Sequence, residues 1–317
     1  MLYEKLYEKL FRLKLYRKAY RNWLSVLMRV KLGNGKVFAV LKDGTEMVLD
    51  KYVAMAIPNY LYYGRRDGVP KNVESITATN WAQALLKLYG WTFDGDILYK
   101  DVNGIRVTFL AYYKGQPVYL SSIAEVFDTG IYEVDVDNKD VVDIGSGIGD
   151  SVVYFSLKNA KRVVGLEPLP NVYEVAKINL SLNKDITDRA HLVNGAIAYG
   201  VKEIKVQPVP VFGSLGFSVR AGEGESGVPV KAYTLKEIAE KVDRDVLKMD
   251  CEGCEWEVLR QEADLVGEFD VVMAEFHGKS TRAVRKTLEG FLSKYKFEIV
   301  RTIEGPGTAS LTLQKRG

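Results

Sequence analysis

Asp250, Glu252, Glu275 and His277 are the residues of this chain whose types suit removal of a proton from a hydroxyl group. A positioned carboxylate or imidazole does this when it stands within hydrogen-bond reach. Asp250 ends the apolar run Val246-Leu247-Lys248-Met249, and the turn Cys251-Glu252-Gly253-Cys254-Glu255 follows it. Glu275-Phe276-His277 follows a second apolar run, Asp270–Ala274. In an open α/β sheet the carboxyl ends of the strands form the ligand crevice, so these groups are expected to meet there. An acidic helix start explains Glu255 and Glu257 through the helix dipole, but it explains Asp250, still on its strand, poorly. His277 titrates nearest neutrality; a hydrogen-bonded loop histidine is its alternative role. Ligand type alone would let Asp250, Glu275 and His277 hold a divalent ion, but no metal is expected.

A second group of residues suits a nucleoside. Val141-Val142-Asp143-Ile144 runs into Gly145-Ser146-Gly147-Ile148-Gly149-Asp150, and the next apolar run, from Arg162, ends in Glu167-Pro168. Glycines let the backbone approach a ligand, and a carboxylate at the next strand end can accept both ribose hydroxyls. A dinucleotide fingerprint places its third glycine where the helix opens, so that a pyrophosphate rests on the helix amides. Asp150 holds that position here and would repel a pyrophosphate. A sulfonium ligand without phosphate meets no such repulsion. S-adenosylmethionine is therefore the expected cofactor. Asp143, Gly145, Ser146, Gly147, Glu167, Pro168 and Asp250 are its expected contacts, with the adenine near Asn194, Gly195 and Ala196 by analogy with this fold.

The elements that must position these groups follow from patterning. From about residue 121, strands and helices alternate, the mark of a parallel sheet. Strands are expected at 140–144, 162–166, 190–194, 246–249, 269–274, 296–301 and 308–314. The glycine- and proline-rich stretch Pro208–Pro229 reads as a long loop, of the kind that covers an active site. Before residue 121 the chain reads as an α+β region: one helix over 2–30, a hairpin around Asp43-Gly44, helices near 51–63 and 81–89, and a hairpin around Asn103-Gly104. Tyr3, Leu6, Leu10, Leu13, Tyr16, Tyr20, Trp23 and Leu27 recur at helical spacing. The expected domains are 1–120, accessory, and 121–317, which carries the site.

The 317 residues carry a net charge of +3, too little to demand a nucleic-acid partner. Residues 1–36, however, hold ten Lys and Arg against two Glu. The two cysteines stand as Cys251-Glu252-Gly253-Cys254, without the second pair that a structural zinc needs. They are expected to pack as small residues at a strand-to-helix turn; a disulfide or redox pair is the alternative. The uncharged run Tyr52–Gly64 is short and broken by Pro58, so no membrane span is expected, and the charged N-terminus does not read as a signal peptide.

Three stretches together resemble the FkbM family of S-adenosylmethionine-dependent methyltransferases: the run Asp143–Asp150, Glu167-Pro168, and Lys248-Met249-Asp250-Cys251-Glu252-Gly253-Cys254-Glu255. Thr234-Leu235-Lys236-Glu237-Ile238 and Glu275-Phe276-His277 are similar to the family's flanking segments, although Lys236 stands where an acid is common. The resemblance covers roughly 121–317. It implies a class I methyltransferase-like, Rossmann-like, mostly parallel seven-stranded sheet. It also implies O-methylation of a sugar, a glycan or a lipid-linked acceptor, or of a small molecule. The alternatives are an RNA methyltransferase that grips with its basic first helix, and a non-catalytic cofactor- or partner-binding module. A cytoplasmic location is expected, with peripheral membrane contact through residues 1–30 as an open reading.

Overall fold

The computed structural model describes residues 2–33, 35–207, 227–240, 242–277, 281–305 and 308–316, with side chains from Lys9 onward. The chain forms two compact units, one of residues 1–107 with 120–130, the other of residues 108–119 with 131–317.

In the first unit the helix expected over 2–30 is two helices, Leu2–Ala19 and Trp23–Leu32. Tertiary pairing breaks it. Tyr20 bridges Leu41, and its hydroxyl donates to the Ala54 carbonyl at 2.9 Å. The Arg21 amide donates to the Val40 carbonyl at 2.7 Å. The Asn22 side chain accepts from the Val40 amide at 2.9 Å and donates to the Phe38 carbonyl at 3.2 Å. These residues satisfy the edge of the hairpin Lys36–Val40/Glu46–Asp50, which a continuing helix would leave unpaired. Tyr16 and Tyr20 of the expected stripe are buried, whereas Leu10 is exposed. On the second helix Leu24, Met28 and Leu32, at a spacing of four, are 59%, 55% and 79% exposed. The helix Lys51–Tyr63 starts on Asp50, whose carboxylate accepts from the Tyr52 amide. Asn103 and Gly104, between strands Ile97–Val102 and Ile105–Leu110, take φ of 53° and 82°, the positive values a tight hairpin turn requires.

The second unit is built on seven strands: β1 (Asp140–Ile144), β2 (Arg162–Glu167), β3 (Ala190–Asn194), β4 (Val246–Met249), β5 (Val271–His277), β6 (Phe297–Gly305) and β7 (Thr308–Lys315). Their order is β3-β2-β1-β4-β5-β7-β6, parallel except for β7, which runs antiparallel to both its neighbours. This is the Rossmann-like sheet of class I methyltransferases. Val142, Leu247 and Val272, on the three central strands, are buried, as expected of strands covered on both faces. Helices α1 (Asp150–Leu157), α2 (Pro170–Leu182), α3 (Leu235–Ala239), α4 (Cys254–Gln261) and α5 (Thr281–Lys294) complete the α/β layers. The switch in strand order falls between β1 and β4, where an open sheet leaves its ligand crevice.

Three short strands escape the patterning. Ala196–Ile197, Val228–Tyr233 and Glu203–Val206 form a small separate sheet. Val228 and Pro229, expected in the loop Pro208–Pro229, are therefore strand residues, while 208–226 lie outside the described residues.

Candidate active site

The first half of the crevice is the turn after β1. Gly145, Gly147 and Gly149 all take left-handed φ, of 80°, 53° and 82°. Gly145 is the most constrained: a Cβ there would fall 1.9 Å from the Asp250 carbonyl oxygen. The turn after β1 thus lies directly against the end of β4. Parallel register explains what lies beneath it. Lys248 of β4 is the neighbour of Asp143 of β1. The two form a buried ion pair at 2.9 Å, and the Lys248 ammonium also donates to the Gly145 carbonyl at 2.6 Å. Burial works against the lysine's charge, but the carboxylates of Asp143 and Asp250 outweigh it and raise its pKa. Asp143 also accepts from the Ser151 hydroxyl at 2.5 Å. Asp143 thus fixes Lys248, which in turn holds the Gly145 carbonyl of the glycine turn.

Glu167, at the end of β2, is buried. Its carboxylate accepts from the Gly147 amide at 3.0 Å and the Leu169 amide at 2.8 Å. Burial pushes its pKa up to about 8, against the pull of those two hydrogen bonds and of Lys248. Pro168 follows, half-buried. Asn194 of β3 stands level with Glu167, and its amide donates to the carbonyls of Glu167 and Pro168 at 2.9 and 3.3 Å. Gly195 is closed by the Tyr233 ring, which a Cβ would meet at 2.5 Å, and Ala196 is buried in the small sheet. The buried Ser146 hydroxyl finds no hydrogen-bond partner among the described residues.

The second half is the acidic group. Asp250 accepts from the Tyr132 hydroxyl at 3.1 Å. The His277 Nε2 stands 3.3 Å from Glu252 and 3.8 Å from Glu275, and its Nδ1 stands 3.9 Å from Glu255. Ligand atoms of Asp250, Glu252 and His277 fall within 4.8 Å of one another, a spacing that also suits a divalent ion. Burial and the Asp250 charge raise Glu275 to about 7. Burial pulls His277 down, but Glu252, Glu275, Asp250 and Glu255 outweigh it, so its pKa is raised. The four residues singled out by type thus share one crevice.

Cys251 and Cys254 form a disulfide, with Cα atoms 5.4 Å apart, where packed free thiols were expected. The turn explains it: Glu252 (φ 58°) and Gly253 (φ 121°) fold the chain back so that both cysteines come within bridging distance. The buried Glu255 carboxylate reinforces the turn, accepting from the amides of Cys251 at 2.7 Å and Gly253 at 2.9 Å. Sequence reasoning missed Tyr132 and the partnership of Lys248 with Asp143, and it gave Glu255 only the helix dipole.

Residues 143–299 match the model of the methyltransferase FkbM domain. The second unit belongs to the FkbM methyltransferase family. The FkbM match takes in both halves of the crevice, from Asp143 through His277, and the family is one of S-adenosylmethionine-dependent enzymes. Uncharacterized protein 158B of Sulfolobus islandicus rod-shaped virus 1 is 26% identical over 129 residues, 41% of this chain. The match spans 56% of that relative's length. Among solved structures, methyltransferase FkbM from Methylobacillus flagellatus KT is similar over 60% of this chain and 47% of its own, at 17% identity and a TM-score of 0.43. TrmK of M. capricolum, solved with S-adenosyl-homocysteine, is similar over 60% of this chain and 70% of its own, at 10% identity and a TM-score of 0.38.

Proposed function

We propose that the chain binds S-adenosylmethionine at the turn after β1 and methylates a hydroxyl oxygen of a sugar, glycan or lipid-linked acceptor. The carrying observation is the contact of Gly145 with Asp250, which sets the cofactor turn against the cluster of proton acceptors. The residues present fit the cofactor. Ser146 offers a buried hydroxyl still in need of a partner, and Glu167 has lone pairs left after its two backbone bonds. When bound, S-adenosylmethionine supplies a methyl group on a sulfonium leaving group. The protein then contributes alignment and a proton acceptor. Asp250, held by Tyr132, is assigned to orient the acceptor hydroxyl. His277, flanked by Glu252 and Glu275, is assigned to draw its proton away.

Glu167 gives the cofactor reading a signed test. Ribose hydroxyls donate to an ionised carboxylate and so lower its pKa on binding. Free Glu167 holds its proton until about pH 8, so below that pH binding must release it. Affinity for S-adenosylhomocysteine is expected to rise as pH rises towards 8, with a proton released in calorimetry across buffers of different ionisation enthalpy. Glu167→Ala is expected to lose about 1.5–3 kcal/mol of that affinity and its pH dependence together. Unchanged calorimetric binding in this variant removes Glu167 from the site.

A lipid-linked acceptor is favoured by the helix Trp23–Leu32 of the first unit. It carries the exposed Leu24, Met28 and Leu32 with Arg29 and Lys31, and it has no acidic residue. No helix among the described residues is long and apolar enough to cross a membrane, so contact of this kind is peripheral. Flotation with anionic vesicles is expected to carry the full chain at low salt and less of it at high salt. A chain that stays in solution with such vesicles at low salt removes the membrane reading.

A further inference from the structure

We infer that the Cys251–Cys254 disulfide is a redox site that exchanges with a dithiol and sets the geometry of the methyl-transfer crevice. The inference rests on reading that crevice as the transfer site. The bridge lies inside it. Asp250 precedes the bridge, Glu252 lies within it, and Glu255 follows it. Cys251 also backs the cofactor turn, since a Cβ on Gly145 would stand 3.2 Å from the Cys251 Cα. The turn holds two consecutive residues at positive φ: Gly253 takes that conformation freely, whereas Glu252 holds one that an L residue seldom keeps unaided. The disulfide restrains it covalently, and the Cys251 and Gly253 amides bonded to Glu255 restrain it further. Both cysteines pack against the core but are part-exposed, and Gly253 between them is exposed, so the bridge lies at a solvent-open turn.

The exchange balances. A dithiol reductant gives two electrons and two protons and closes into its own disulfide. The Cys251–Cys254 bond breaks, and each sulfur takes one proton as a thiol. The four-residue turn then keeps its hydrogen bonds to Glu255 and the Glu252–His277 contact, but the covalent tie across it is gone. Reoxidation by a disulfide such as oxidised glutathione restores it. A buried structural disulfide resists such exchange, whereas exposed ones are the labile and regulatory kind.

The test is amide hydrogen exchange of the full chain, before and after dithiothreitol under native conditions, with alkylation and mass spectrometry to count free thiols. Reduction is expected to speed exchange at 251–256 by about tenfold or more, because a covalent tie no longer restrains local opening. Exchange in β1 and β2 is expected to stay as it was. Cys251→Ser/Cys254→Ser is expected to exchange like the reduced chain and to ignore the reagent. With a methyl acceptor supplied, the oxidised chain is expected to transfer at least about tenfold faster than the reduced one, since misplacing a reacting group by about 1 Å costs up to a hundredfold. Equal exchange at 251–256 in both states overturns the inference, as does a disulfide that dithiothreitol opens only in denaturant. If neither state transfers a methyl group, the methyltransferase reading fails, and the exchange data still decide whether the disulfide controls the turn.

Discussion

Asp250→Asn is expected to slow methyl transfer about a hundredfold or more, the loss typical when a reacting group is misplaced, while changing cofactor affinity far less. Asparagine keeps the size of the side chain and can still accept from the Tyr132 hydroxyl, so the turn and its contact with Gly145 survive. What is lost is a charge in a crowded group. The Asp250 charge helps to raise both Glu275 and His277. Removing it lets both titrate at lower pH, so the residual activity is expected to show its pH profile shifted towards acid. Single-turnover rates at saturating cofactor, measured across pH, separate the two effects. A near-normal rate removes Asp250 from orienting the acceptor hydroxyl and leaves catalysis to His277, to Glu275 or to alignment by other groups.

Gly145→Ala is expected to have the largest effect on folding. Its Cβ would fall 1.9 Å from the Asp250 carbonyl oxygen and 2.7 Å from the carbonyl carbon, both backbone atoms that no side-chain rotation can move. The left-handed φ of 80° adds its own cost. A left-handed residue costs about 1–2 kcal/mol and overpacking about 1–3 kcal/mol, so a loss of about 3 kcal/mol is expected. For a unit of this size that lowers the Tm by about 6–12 °C. Gly147→Ala is the control. Its φ is 53°, but a Cβ there would approach an Asp150 carboxylate oxygen no closer than 3.9 Å, so only the conformational cost applies. Calorimetric melting of both variants decides it, and equal melting points contradict the close packing of the two strand ends.

The sequence carried the chemistry of the site better than its partnerships. Glycines 145, 147 and 149, the strand-end acids and His277 are legible because each lies within a few residues of a recognisable strand end, and the α/β rhythm sends strand ends to one side. The seven strands of the large sheet are legible for the same reason. The ion pair of Lys248 with Asp143 is not, because it depends on β4 lying beside β1, an order that local patterning does not encode. Tyr132 reaches Asp250 across 118 residues, from a segment without regular secondary structure. The helix break at Tyr20–Asn22 is decided by the hairpin it pairs with, against a continuous helical period. The spacing of Cys251 and Cys254 suits a bridge and free thiols equally, and the fold of the intervening turn decides between them. The strands Glu203–Val206 and Val228–Tyr233 are short, and they pair across a glycine- and proline-rich stretch that reads as loop throughout.

Incubation of the full chain with methyl-tritiated S-adenosylmethionine and fractions of the source cells tests the central claim most directly. The account predicts label in the glycan or glycolipid fraction, in an ether linkage stable to mild alkali, and a rate that falls about a hundredfold with Asp250→Asn. Label confined to RNA, or no transfer to any fraction by a chain that binds S-adenosylhomocysteine, contradicts it.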